Sequence, residues 1–201
     1  MKLYYKSGAC SLAVRIALEE AGLPYEAEAV DLPTKTTESG ADFWAINPKG
    51  YIPALVLDDG TVLSEGASIL LRIATMAPDK HLAPAPGNAD YGKTLEWLVF
   101  IATELHKPTG GLFNPAIPEE VKTASKGILA RRLSYADQTL GAGPFLLGNA
   151  FTVADAYLFN VMLWLPRVGI DIAAWPNLAA HHARIGARPA VLAALKAEGL
   201  A

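Results

Sequence analysis

A chain of 201 residues that is 52% hydrophobic and 18% charged can bury a substantial core, which excludes a disordered chain. Its formal net charge of -3 provides no basic surface for nucleic acid or anionic lipid. No apolar stretch is long enough to span a bilayer, and a single cysteine excludes an internal disulfide framework. Because the N-terminus also lacks an apolar signal segment, we expect a cytoplasmic protein with no membrane or nucleic-acid partner.

The first third of the chain alternates between strand and helix patterns. Residues 2–5 form a short β-type run, and helical spacing follows over 11–22. Residues 25–30 alternate with period two, as a half-buried strand does. Two apolar runs flank the turn residues 58–60, which indicates a hairpin, and helical spacing returns over 67–77. The order predicts a β-α-β unit, a loop, and then a β-β-α unit.

A linker separates this α/β module from a helical one. Residues 79–89 are rich in proline, glycine and small side chains. The patterns after the linker are helical, and Thr152 with Asp155 predicts a capping box at one helix start. We therefore expect an α/β domain over 1–80 and an all-α domain over 88–201.

Cys10, the only cysteine, lies where the first predicted strand gives way to the first helix. Free backbone N–H groups and the positive end of the helix dipole stabilise a thiolate at such a position. The alternative is a small buried hydrophobe, which most lone cysteines are. Because Ala13 stands where a Cys-x-x-Cys motif would place its second cysteine, any redox chemistry would need an outside thiol to resolve it.

Three further features of this module fit one kind of ligand. A cis peptide between Ile52 and Pro53 would leave the backbone of Ile52 free to pair with an extended ligand, whereas a trans proline is the ordinary alternative. Glu65 and Gly66 fall at a helix start that can hold a carboxylate, although Glu65 could simply complement the helix dipole. Lys35 is a cation in a polar loop, where most lysines are only solvated. With the thiol, these groups suit an extended thiol peptide that carries two carboxylates and an ammonium.

His106 is the candidate partner for a thiol in the helical module, as hydrogen-bond donor or as base. On a regular helix Thr103 and Lys107 share its face, and a surface histidine with no role is the alternative. The pair His181-His182 lacks an accompanying cluster of cysteines or acids, and its side chains point about 100° apart. No metal site is predicted there.

These motifs resemble those of the glutathione S-transferases, and specifically the bacterial beta class. The resemblance covers the whole chain, through the segments MKLYYKSGACSL, NPKGYIPAL, LSEGASI, ATELHK and FTVADAYLF and the C-terminal RPAV and AEGL. It implies a thioredoxin-like N-terminal domain, an all-helical C-terminal domain and a homodimer. It also implies an activity of the EC 2.5.1.18 type, in which glutathione is a co-substrate and no cofactor is bound permanently; the role is detoxification or a dedicated catabolic step.

The resemblance assigns the chemistry to two residues. It implies that Cys10 lies beside the glutathione sulfur and that His106 lies near it, so these are the expected catalytic residues. The glutathione-binding set that it implies is Ala9, Cys10, Lys35, Tyr51, Ile52, Pro53, Glu65, Gly66, Thr103, Glu104, His106 and Lys107.

The resemblance also implies how glutathione is oriented. Lys35 would face the glycine carboxylate, and Ile52 would pair with the cysteinyl backbone. Glu65 and Gly66 would hold the γ-glutamyl end. Pro53 would be a cis proline.

Two positions depart from the pattern of the class. Val99 replaces a usual asparagine, and its isopropyl group cannot hydrogen-bond to a ligand. Arg15 replaces a frequent histidine, and its cationic head would lie near the site entrance or in solvent. Phe113, Tyr157 and Trp164 are candidates to line the pocket for a small hydrophobic electrophile.

Two rival functions remain open on the sequence. One is glutathione-dependent thiol-disulfide exchange, in which Cys10 attacks a disulfide and free glutathione regenerates it. The other is a non-catalytic binding protein that reuses the same fold.

Overall fold

A computed structural model describes all 201 residues, which form two compact units. The first unit combines Met1–Ala83 with Arg188–Ala201, and the second is Pro84–Ala187. The units group residues by packing, whereas the predicted domains follow chain order. The domain boundaries therefore stay a prediction, and by packing the last segment of the chain goes with the first unit.

Strands and helices alternate in the first part of the chain, and the elements after β5 are all helices. In order they are β1 (Lys2–Tyr5), α1 (Ser11–Ala21), β2 (Glu26–Asp31), β3 (Thr36–Thr37), α2 (Phe43–Ile46), β4 (Ala54–Val56), β5 (Val62–Ser64), α3 (Gly66–Met76), α4 (Ala89–Phe100), α5 (Lys107–Leu112), α6 (Glu119–Leu140), α7 (Val153–Met162), α8 (Pro176–Gly186) and α9 (Pro189–Ala197). A π-helical segment, Ile101–His106, connects α4 to α5. Single 3₁₀ turns occur at Pro78–Lys80, Pro166–Val168 and Ile172–Ala174.

The first unit is built on a five-stranded mixed sheet in the order β3-β2-β1-β4-β5. Strand β1 pairs parallel with β2 and antiparallel with β4, and the two outer pairs are antiparallel. The helix α1 makes the parallel connection from β1 to β2, since parallel neighbours cannot be joined by a tight turn. This arrangement confirms the predicted thioredoxin-like fold class. The two-residue strand β3 and the short helix α2 are additions that the sequence patterns did not indicate.

Helix α1 begins and ends where the sequence predicts. It starts at Ser11, directly after Cys10, and most of its residues are buried. Gly22 ends it in the left-handed conformation, with a φ of 64°, and its N–H bonds back to the carbonyls of Leu18 and Glu19. Glycine suits this position because it adopts positive φ without a Cβ clash. Because β1 ends at Tyr5 and α1 begins at Ser11, Cys10 is the last residue of the loop that joins them.

The second unit is all-helical, and a buried carboxylate organises its centre. Asp155 is fully buried and accepts hydrogen bonds from the N–H groups of Thr152 at 2.8 Å and Leu146 at 2.9 Å. The capping box of Thr152 and Asp155 is therefore confirmed. His181 Nε2 lies 2.9 Å from Asp155 Oδ1, so this histidine belongs to the same network. No helix of the protein has the length and apolarity needed to cross a membrane.

We expect Asp155→Ala to lower the free energy of unfolding by about 3 kcal/mol or more, because two backbone donors and His181 lose their acceptor in a buried place. Urea denaturation followed by circular dichroism measures this change. Asp171 caps an exposed 3₁₀ turn through Ala173 N–H, and Asp171→Ala is the matched control, with a cost of about 1 kcal/mol or less. Equal losses in the two variants would show that Asp155 acts only as an ordinary cap.

Candidate functional site

Cys10 occupies the N-cap position of α1 and is half-buried. With Ala9 it packs against a buried apolar cluster of the first unit. Its thiol is in hydrogen-bonding range of the Ile52 carbonyl, with Sγ 3.6 Å from the oxygen. The expected position at a helix N-terminus is therefore confirmed.

Ile52 and Pro53 form the loop that faces this thiol. The peptide bond between them is cis, as the resemblance implied, and both residues are buried. The sequence analysis expected the Ile52 carbonyl to be free for a ligand, but this carbonyl accepts the thiol hydrogen bond of Cys10. The two loops are joined at the position where a ligand sulfur was predicted.

Lys35 is a positioned cation and not a solvated one. It has a φ of 57°, its Nζ donates to the Gly50 carbonyl at 2.5 Å, and it lies 5.5 Å from the centre of the Trp44 ring. Gly50 has a φ of 65°, and a Cβ added to it would lie 2.3 Å from Cζ3 of Trp44. A side chain at this position would displace the indole, and the positive φ also favours glycine.

Glu65 lies at the start of α3 with a φ of 71°, a conformation that non-glycine residues seldom adopt. Its side chain does not cap the helix. One carboxylate oxygen instead accepts from Lys49 Nζ and from the Tyr51 hydroxyl, each at 2.9 Å. Hydrogen bonding to Glu65 raises the pKa of both donors, so Lys49 stays charged and Tyr51 stays neutral at pH 7. Gly66 follows as the first residue of α3 and exposes the helix N-terminus.

A buried ion pair supports the loop before Cys10. Glu198 Oε1 bonds Arg15 Nε at 3.0 Å, and its Oε2 accepts from the Gly8 N–H at 2.9 Å. The Ser7 hydroxyl donates to the Glu198 carbonyl at 2.7 Å. The expectation that Arg15 lies at the site entrance or in solvent is wrong, because its side chain is 5% exposed and stacks on the Tyr5 ring.

Burial raises the pKa of the Glu198 carboxyl, while the hydrogen bonds from Gly8 and Arg15 oppose the rise. Breaking either bond would raise this pKa further and favour the protonated carboxyl. The conformation of the loop around Gly8 depends on this carboxylate, which follows α9 near the end of the chain.

Four of the predicted site residues lie in the second unit, on or next to the π-helical segment. Thr103 and Lys107 are exposed, and His106 is half-buried. Glu104 forms an ion pair with Arg132 of α6 at 2.7 Å. The Lys107 N–H bonds the carbonyl five residues back, so the α-helical spacing used to place Thr103, His106 and Lys107 on one face does not apply. Such π turns are frequent at functional sites.

The side chain of His106 packs among aromatic residues of the second unit. Its Nδ1 lies 2.6 Å from the Tyr157 hydroxyl, and its ring is 5.0 Å from that of Trp164 in an edge-to-face arrangement. Phe113 lies 6.5 Å from Trp164 and is 42% exposed, with the Arg167 guanidinium 5.3 Å above its ring. We call His106, Phe113, Tyr157, Trp164 and Arg167 the aromatic wall. Within it Phe113 and Arg167 are exposed, whereas Tyr157 and Trp164 are buried.

The structure thus brings together some of the predicted residues within each unit. Ala9, Cys10 and Ile52 meet in the first unit, where Tyr51 also meets Glu65. The sequence analysis assigned no supporting role to Lys49, Gly50, Trp44, Glu198, Arg132 or Arg167. The segment Asn47-Pro48-Lys49-Gly50 carried a turn signal that pointed to Gly50, but no local pattern indicated the partners of the charged residues.

The geometry agrees with what comparison with known proteins shows. The N-terminal domain model of the glutathione S-transferases matches residues 8–76, and the C-terminal domain model matches residues 98–189. Glutathione S-transferase GstA of Escherichia coli O157:H7 is 45% identical over 200 residues, which is the full length of both chains.

Solved structures give the same result. A sphingomonad glutathione S-transferase complexed with glutathione matches all of both chains, with a TM-score of 0.96 and 48% identity. The beta-class glutathione S-transferase of Sphingomonas chungbukensis also matches all of both chains, with a TM-score of 0.96 and 45% identity. With a thiol at the helix start, a cis proline opposite it and full-length similarity of sequence and fold, this chain belongs to the glutathione S-transferase family.

Proposed function

We propose that the protein binds glutathione on its first unit and transfers its thiolate to small hydrophobic electrophiles. The protein conjugates glutathione, as a member of the glutathione S-transferase family. The roles given below to individual residues are our proposal. The observation that carries it is the position of Cys10 at the start of α1, opposite the cis bond of Ile52 and Pro53. Members of the family with this fold have been solved with glutathione bound.

The chemistry that this position supports is stabilisation of a thiolate. Cys10 lies at the N-terminus of α1, where the unpaired first-turn N–H groups and the helix dipole favour negative charge. A glutathione sulfur beside Cys10 would experience the same field, which lowers its pKa and raises the fraction of the nucleophilic thiolate. The sulfur then attacks an electrophilic carbon, and the leaving group departs with the bonding pair. Cys10 assists through hydrogen bonding and does not itself attack the electrophile.

Each charged end of the tripeptide is bound by a protein group of opposite charge. Lys35, held by the Gly50 carbonyl, faces the glycine carboxylate, while Ile52 with Pro53 presents backbone to the cysteinyl unit. The Glu65 carboxylate attracts the γ-glutamyl ammonium, and the N-terminus of α3 at Gly66 attracts the α-carboxylate.

The resemblance to the beta class also assigns Thr103, Glu104, His106 and Lys107 to glutathione binding. The aromatic wall receives the electrophile, because its exposed Phe113 and its neighbouring rings favour a flat apolar substrate. Val99 is 49% exposed, and its side chain has no polar atom with which to bind the tripeptide, unlike the asparagine usual in the class.

Thiol-disulfide exchange through Cys10 is the second candidate, and one observation favours it. The thiol is half-buried and not enclosed, so a disulfide could reach it. A non-catalytic binding role is the weaker alternative, because the thiol, the cis proline and the Glu65 site are all in place.

We also propose that the protein is a cytoplasmic homodimer that acts in detoxification and holds no permanent cofactor or metal. The homodimer follows from the resemblance to the beta class. It is supported by exposed apolar side chains at seven-residue intervals along α6, namely Val121, Ile128 and Tyr135, which share one face of the helix.

Cys10→Ala separates the two enzymatic candidates. We expect conjugation of a chloronitrobenzene substrate to stay within about tenfold of the wild type, because the helix N-terminus remains. Glutathione-dependent reduction of a mixed disulfide should fall below detection, because no nucleophilic sulfur is left. Cys10→Ser, which keeps a hydrogen-bond donor, is the matched control for the polar contact. A loss of conjugation in both variants would contradict the proposed role of Cys10.

Glu65→Gln tests the γ-glutamyl site. Because a charge-assisted bond to the ammonium is removed from both the ground state and the transition state, we expect KM for glutathione to rise about tenfold with little change in kcat. Steady-state kinetics with varied glutathione measures this. The exposed Glu26 on β2 provides the control Glu26→Gln, which should leave KM unchanged. An unaltered KM in Glu65→Gln would remove this residue from the site.

Sedimentation equilibrium tests the homodimer. We expect twice the chain mass for the wild type and a shift towards the single-chain mass for Ile128→Glu, because a buried unpaired carboxylate is costly at an interface. Glu120→Gln, an exposed change on the same helix, should leave the mass unchanged. A wild-type protein that sediments as a single chain would overturn the proposal.

A further inference from the structure

The exposed end of the aromatic wall carries a guanidinium that no carboxylate of the protein neutralises. Arg167 lies in the 3₁₀ turn Pro166–Val168 and is exposed, and its Cζ is 5.3 Å from the centre of the Phe113 ring. This ring contact is the one interaction that its side chain makes with the protein. A guanidinium has five N–H donors and no acceptor, so all five donors of Arg167 are open to a ligand.

Phe113 is the apolar half of the same surface. It follows the last residue of α5, is 42% exposed, and meets the Trp164 ring at an interplanar angle of 81°. Because Trp164 is buried, it supports the Phe113 ring from within the second unit. A planar ligand that covers the exposed part of Phe113 therefore also covers part of Arg167, since the ring and the guanidinium are neighbours.

The surroundings of Arg167 add positive charge. Lys126 of α6 extends to Gly169, two residues after Arg167, and its Nζ lies 3.6 Å from the place that a Cβ on Gly169 would take. The acidic residue of this segment, Asp171, is engaged elsewhere, because its carboxylate accepts from the Ala173 N–H at 2.9 Å. The charge that a ligand meets at this end of the aromatic wall is therefore positive.

A helix-end role does not account for the cation. Basic side chains stabilise a helix C-terminus within its last turn, whereas α7 ends at Met162, five residues before Arg167. The 3₁₀ turn that carries Arg167 has only three residues and little dipole of its own. The contact with Phe113 explains where the charge lies, but it leaves the charge without a counter-ion.

This arrangement discriminates between ligands by their charge. A neutral flat molecule packed on Phe113 removes water from the guanidinium and returns no hydrogen bond, which is costly for a charged group. A carboxylate on the same flat molecule accepts two parallel N–H bonds from the guanidinium and replaces the lost water. The apolar gain on Phe113 is the same for both ligands, so the difference in affinity arises at Arg167.

We infer that Phe113 and Arg167 form a binding site for aromatic carboxylates, in which the ligand ring packs on Phe113 and the carboxylate pairs with Arg167. The site is built from the second unit alone. Its use in catalysis rests on the proposed function, under which the preferred electrophiles are aromatic rings that carry a carboxylate. The carboxylate takes no part in the bond changes: the sulfur–carbon bond forms, and the leaving group departs with the bonding pair.

The test compares 4-chloro-3-nitrobenzoate with the neutral 4-chloro-3-nitrobenzamide, by isothermal titration calorimetry of the full-length protein without glutathione. We expect the wild type to bind the carboxylate about tenfold more tightly than the amide. In Arg167→Gln this ratio of Kd values should fall to about one. Arg167→Lys keeps the charge but loses the planar fork, and its ratio should be intermediate.

Arg131→Gln is the matched control. Arg131 is an exposed arginine of α6 whose Nη1 donates to the Gly127 carbonyl at 3.3 Å. The substitution removes the same net charge from the same unit, so a general electrostatic effect would lower the Kd ratio in both variants. We expect the ratio in Arg131→Gln to equal that of the wild type.

The ratio of kcat/KM for the two electrophiles at saturating glutathione is the second readout. Because each variant is compared with the wild type on both compounds, the intrinsic reactivity of the two rings cancels. We expect Arg167→Gln to lower the preference for the carboxylate about tenfold, as in the binding experiment.

Three results would overturn the inference: no binding of the carboxylate to the wild type, equal binding of the two compounds, or an unchanged ratio in Arg167→Gln. The wild-type comparison holds even if the variant does not fold. Tighter binding of the carboxylate without conjugation of either compound would contradict the proposed function and leave the site intact. Conjugation of both compounds with equal binding would do the reverse.

Discussion

The contact between the Cys10 thiol and the Ile52 carbonyl is the interaction on which the rest of the first unit depends. It joins the start of α1 to the cis-proline loop, two segments 42 residues apart in the chain. The sheet order makes this possible, because β1 and β4 are neighbours and the loops next to them leave the same edge. The start of α1, its thiol and the backbone of the cis-proline loop therefore meet in one place.

Two buried carboxylates hold the segments around the two groups of functional residues. Glu198 binds the Gly8 N–H before Cys10, and Asp155 binds N–H groups at the start of α7, the helix that carries Tyr157. In each case a carboxylate satisfies backbone donors that burial would otherwise leave unpaired, together with a cationic or imidazole partner. Neither carboxylate touches the predicted reacting atoms. Their contribution is to keep loops and helix starts in one conformation, so the site is organised before a ligand arrives.

Much of the local structure of both units could be predicted because its signals are local. The turn at residues 58–60, the glycine that ends α1 and the capping box at Thr152 each depend on residues within one or two turns. The surroundings of Arg15 could not be predicted in this way, since its partner Glu198 is 183 residues away. The π turn before Lys107 was also missed, because a single inserted residue changes the helical spacing without changing the hydrophobic pattern.

The sequence by itself determined the order of the strands and helices apart from β3 and α2, the place of the thiol at a helix start, and the motifs that identify the family. These follow from periodicity, capping residues and glycine positions, which act over a few residues. The tertiary structure alone decided that Arg15 is buried, that Lys35 is held by a carbonyl, and that Tyr157 meets His106. Such pairings depend on which distant segments pack together, and a charged or aromatic residue looks the same in a sequence whether it meets solvent or a partner.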